Sequence, residues 1–91
     1  MPLTVVARFE AGPGQEDRLR TELEAMIEPS VDEPGCLAYE LYVDPNRPGR
    51  MAVVEEWTCR PAFERHAAGA YRRRVADLLA GPVTVQYLTE S

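Results

Sequence analysis

Trp57 and His66 are the side chains of this sequence best suited to chemistry on a small molecule. The chain holds one tryptophan and one histidine. Trp57 would close a strand, and His66 follows nine residues later on a helix that has to pack back over the same sheet. A broad aromatic wall and an imidazole would then share a sheet–helix cleft, a common way to line a small-molecule pocket. The same spacing suits a purely architectural pair, with Trp57 as a core plug and His66 bonded to a neighbouring carbonyl. Periodicity alone favours that second reading. Phe63 lies on the His66 side of the helix, three residues earlier. Glu55 alternates with Trp57 on one strand face. Both are candidates to touch whatever fills the cleft.

Other chemistries are excluded by composition. All ten basic residues are arginine, so no lysine Schiff base or lysine nucleophile exists. Two cysteines, Cys36 and Cys59, without a CxxC spacing, and a single histidine argue against a metal site. Both thiols read as reduced in a cytoplasmic setting. Glu55 and Glu56 are adjacent on a strand and point to opposite faces, so they are not a paired-carboxylate site. The outer one would need an arginine partner such as Arg8. A net charge of −5 lacks the basic footprint of a nucleic-acid binder. No apolar run approaches the roughly 20 residues that span a bilayer, and the N-terminus lacks a signal peptide pattern. Arg72, Arg73 and Arg74 spread over about 200° of a helix and cannot form one tight patch. They read as a solvated face, with Arg72 the one suited to hold an anionic group at a pocket mouth.

The elements that must position these residues follow from hydrophobic period. Residues 3–10 alternate as a strand, with Leu3, Val5, Ala7 and Phe9 on one face. Residues 15–31 carry a helical stripe of Leu19, Leu23, Met26, Ile27 and Val31, with Pro29 expected to tighten or bend the last turn. Residues 36–44 and 50–58 read as a hairpin around Pro45–Gly49. Leu37, Tyr39, Leu41 and Val43 should share one face, as should Met51, Val53, Glu55 and Trp57. A short helix starts at Arg60-Pro61 and breaks near Gly69. A second helix over 70–80 carries Tyr71, Val75, Leu78 and Leu79, and a last strand runs over 83–89. One domain, residues 1–91, of βαββαβ order is the ferredoxin-like α+β arrangement: a four-stranded antiparallel sheet with both helices on one face. The other face, with Val6, Ala38, Tyr42, Ala52, Val54 and Leu88, is too apolar for open water. A second copy, sheet to sheet, is its simplest cover, which makes the expected assembly a homodimer.

The chain resembles the antibiotic biosynthesis monooxygenase family, of the small quinol-monooxygenase-like type. The resemblance rests on Thr4-Val5-Val6-Ala7, on Gly12-Pro13-Gly14, and on the run from Glu33-Pro34-Gly35-Cys36 to Tyr42. Glu55-Glu56-Trp57 with His66 at the family distance completes it. It covers nearly the whole chain and implies a dimeric α+β barrel. It also implies oxygenation of a small phenol or quinol by O₂ without metal, flavin or other cofactor. His66 would then be the base, Trp57 the stacking wall, and Glu55 a group that orients His66 or competes with it. Many relatives carry a second histidine where this chain has Gly69-Ala70-Tyr71-Arg72, so Tyr71 is the candidate replacement donor. Haem-degrading relatives use a first-strand asparagine where Ala7 stands here, which counts against haem as substrate. A non-catalytic metabolite-binding or structural dimer, or a cofactor-free isomerase using the same base, fits the same residues.

Overall fold

The computed structural model describes residues 2–69 and 71–89, with Tyr71 and Thr89 by backbone alone. Its elements are β1 (Leu3–Glu10), α1 (Glu16–Ala25), α2 (Ile27–Val31), β2 (Cys36–Val43), β3 (Arg50–Trp57), α3 (Arg60–Ala67), α4 (Tyr71–Ala76) and β4 (Thr84–Thr89). The strands form one antiparallel sheet in the order β2-β3-β1-β4. This is the ferredoxin-like arrangement expected from the element order.

Strand parity decides the core. Leu3, Val5, Ala7 and Phe9 are buried, as are Met51, Val53, Glu55 and Trp57, and β1 and β3 are paired in register along their full lengths. Leu19 and Leu23 of α1, Ala62, Phe63 and His66 of α3, and Val75 of α4 are buried over this same face. The hairpin turn between β2 and β3 is closed by Asp44, whose side chain accepts the backbone N–H groups of Asn46 (2.8 Å) and Arg47 (3.3 Å).

Three local departures from the periodic pattern have plain causes. The helix expected over 15–31 breaks at Met26 into α1 and α2. Pro29 has no N–H to give the carbonyl four residues back and its ring crowds that carbonyl. Met26 bonds back only three residues, to Leu23. The break resets the helical phase, so Val31 is 49% exposed while Ser30 is fully buried. In β2 the register slips between Cys36 and Ala38. That bulge turns Leu37 outward, 53% exposed, and gives Cys36 the inward place beside Trp57. Finally, α4 ends at Ala76, and three-residue turns carry the chain through Leu78 and Leu79.

The opposite sheet face carries the expected apolar set. Register places Val6 beside Val54, Ala52 beside Tyr42, and Leu88 beside Thr4. Tyr42 and Leu88 are exposed in the single chain, at 53% and 45%. Arg8, on this face, bonds the Gln86 side chain at 3.0 Å. Within one chain it lies four positions along β1 from Thr4, the partner of Glu56.

Candidate active site

Ala62 and His66 stand one turn apart on the inner side of α3. The loop between α2 and β2 is pressed against that turn. Gly35 adopts φ +91°, and a Cβ there would lie 2.7 Å from the Ala62 Cβ and 2.9 Å from the Thr58 hydroxyl. Its carbonyl accepts the Thr58 N–H at 2.8 Å. Only glycine permits both this left-handed backbone and this approach. The close approach brings Glu33 to His66: Oε2 of Glu33 is 2.6 Å from Nδ1 of His66.

The other edge of the imidazole faces the sheet. Oε1 of Glu55 lies 3.6 Å from His66 Nε2, beyond hydrogen-bond reach, and accepts the indole N–H of Trp57 at 2.9 Å. The Trp57 and His66 rings are 4.9 Å apart between centroids, tilted by 36°. Tyr39, opposite Glu55 in the β2–β3 register, sets its ring edge-on to His66 at 5.5 Å. Phe63 packs edge-on to Trp57 at 6.4 Å and to Tyr87 at 5.8 Å. Arg60 covers the outer face of Tyr87 at 4.2 Å.

Trp57 and Glu55 are wholly buried and His66 is 2% exposed. Burial therefore pushes the Glu55 carboxyl above the usual carboxylate range. The Trp57 N–H and the charges of His66 and Arg72 oppose that rise, and the charge of Glu33 adds to it. Oε2 of Glu55 and the hydroxyl of buried Ser30 have no hydrogen-bond partner among the described residues. Burial, and then the Glu55 charge, raise the Cys36 thiol, which keeps it protonated and unreactive.

The structure thus brings together His66, Trp57, Glu55 and Phe63. Arg72 is half-buried on α4, where its charge bears on Glu55. It also lines a surface hollow of about 490 Å³ with Leu79, Pro82 and Val83. The side chain of Tyr71 lies outside the described residues. Trp57 and His66 are both buried in the single chain. A groove of about 510 Å³ lies at the far end of the sheet, lined by Arg8, Tyr42, Asp44 and Arg50 among others. Glu33 and Tyr39 were not foreseen as site residues. Tyr39 could have been found from register, since it opposes Glu55. Glu33 is 33 residues from His66 and gave no periodic signal. Among the described residues no group of three metal-ligating side chains occurs.

The fold and this buried aromatic–carboxylate–imidazole cluster define a small α+β domain of the ferredoxin-like class. The family model for antibiotic biosynthesis monooxygenase matches residues 2–78, and the chain belongs to that family. Rv0793 of Mycobacterium tuberculosis is 36% identical over 91 residues, covering 96% of this chain and 89% of that protein. Its solved structure superposes with a TM-score of 0.89 at 35% identity, over 100% of this chain and 96% of that one. PA3566 from Pseudomonas aeruginosa gives a TM-score of 0.88 at 33% identity, over 99% and 94% of the two chains. A crystal structure of an antibiotic biosynthesis monooxygenase gives 0.86 at 29% identity, over 98% of each chain.

Proposed function

We propose that this protein is a cofactor-independent monooxygenase acting on a small phenol- or quinol-like aromatic, and that it works as a cytoplasmic homodimer. The observation that carries the reading is His66, buried between the carboxylates of Glu33 and Glu55 and against the ring of Trp57. Buried polar atoms normally find partners, so the Glu55 oxygen that has none among the described residues, beside a base, is a place where a substrate hydroxyl would be held. In the reaction, His66 takes the proton of that hydroxyl. The aryloxide gives one electron to O₂, the resulting radical and superoxide combine at a ring carbon, and loss of water from the peroxide leaves a carbonyl. One substrate and one O₂ become one quinone and one water. The protein contributes the base, the stacking wall of Trp57 and Phe63, and exclusion of water. No helix among the described residues is long and apolar enough to cross a membrane.

The burial of the cluster favours one second reading, a structural or metabolite-binding dimer in which the polar core only specifies packing. Oxygen uptake separates the two. Wild type should consume O₂ with hydroquinone-like substrates, and His66→Ala should lose about 10²–10⁴-fold in rate while keeping its circular dichroism. Binding of quinols without O₂ uptake would select the second reading. Product formed under strict anaerobiosis would select an isomerase.

A further inference from the structure

The Glu33–His66 contact carries an inference that neither the family match nor the proposed reaction assigns. Glu33 lies in the loop that Gly35 presses onto α3, and its side chain is 36% exposed while that of His66 is 1% exposed. It therefore joins a buried imidazole to solvent. A carboxylate open to water accepts hydrogen bonds and does not give them. At 2.6 Å from its oxygen, Nδ1 has to be the nitrogen that carries a proton. The other edge faces the sheet. Nε2 is held 3.6 Å from Glu55 Oε1, an oxygen that already accepts the Trp57 N–H.

We propose that Glu33 is a positioning residue that fixes the Nδ1–H tautomer of His66 and turns its basic Nε2 toward Glu55 and Trp57. Among the described residues, the rings of Tyr39, Phe63 and Trp57 hold its plane by edge and face contacts. Arg72 acts on the Glu55 side. The consequence for catalysis rests on the reading of His66 as the base: Glu33 then also balances the imidazolium formed when Nε2 takes a substrate proton. The tautomer itself does not depend on that reading.

The chain has one histidine, so a ¹⁵N-labelled sample gives a single imidazole pattern in long-range ¹⁵N–¹H correlation spectra. In the pH range where that ring is neutral, wild type should show Nδ1 protonated and Nε2 bare. Glu33→Gln, whose amide oxygen can still accept, should keep that pattern. Glu33→Ala should move the proton to Nε2, because Glu55 Oε1 becomes the nearer acceptor. Nε2–H in wild type overturns the proposal, and so does an unchanged Nδ1–H in Glu33→Ala. The wild-type spectrum alone is decisive should the alanine variant fold poorly. If the wild type shows the Nδ1–H pattern yet consumes no O₂, the oxygenase reading falls and the positioning role stands.

Discussion

Oε1 of Glu55 accepts the indole N–H of Trp57 at 2.9 Å, between two residues that are same-face neighbours on β3. The bond lies wholly inside the protein, so each partner's polar atom depends on the other. Trp57→Phe removes the donor and leaves a small void. It should destabilise the fold by about 2–4 kcal/mol, combining the lost ring volume with an orphaned carboxyl oxygen. Urea unfolding followed by circular dichroism measures it. A loss under about 1 kcal/mol would show that the bond contributes little.

Glu55 gives a pH signature. Burial raises its folded-state pKa above the ordinary 4.5, against the pull of Trp57, His66 and Arg72. The folded protein therefore holds this proton where the unfolded chain releases it. The associated stability is fully present below the unfolded value and is lost as pH rises through the folded one. Glu55→Gln keeps the acceptor for Trp57 and removes the ionisation. Its stability relative to wild type should improve as pH rises from the ordinary carboxylate range through the raised folded value. Thermal unfolding of both proteins across that range supplies the difference, and a flat or declining difference contradicts the shift.

The same two residues show what was legible in the sequence. Alternation on β1 and β3 put Glu55 and Trp57 on the inner face, and the helical spacing of Phe63 and His66 put both on the inner side of α3. Those placements hold because one residue's period determines them. Glu33 was missed because its contact with His66 depends on a long-range approach set by the backbone of Gly35, not on any period. Leu37 was misplaced by a bulge, and Val31 by the phase break at Met26. In each case a single backbone irregularity moved a side chain that alternation or helical spacing had assigned.

Gly35 and Gly14 form a controlled pair for that approach. Both have positive φ, +91° and +76°. A Cβ on Gly14 meets nothing within 4 Å, whereas one on Gly35 collides with Ala62 and Thr58. Gly14→Ala should cost about 1 kcal/mol from backbone conformation alone. Gly35→Ala should cost about 2–4 kcal/mol, because overpacking is added. It should also shift the His66 imidazole resonances, since the loop that delivers Glu33 must retreat. Equal losses for the two variants would mean that the loop yields freely, and the geometric basis of the Glu33 contact would be gone.

The uncovered sheet face sets the last prediction. Val54 stands between Val6 and Glu40 in register, near the centre of a surface that also holds Ala38, Ala52, Tyr42 and Leu88. A stable interface buries about 800 Å² per partner, with an apolar centre and a polar rim. Here Arg8, Glu10, Glu40 and Arg50 stand among or around those apolar residues. The protein should sediment at about twice the 10.2 kDa chain mass at micromolar concentration. Val54→Asp puts an unpartnered charge at the centre of the face and should halve the mass while leaving the circular dichroism unchanged, because Val54 does not face the helices. A wild type that sediments as a single chain would contradict the sheet-to-sheet dimer directly. A Val54→Asp protein that remains dimeric would place the contact on another surface, and the apolar set on this face would then require a different cover.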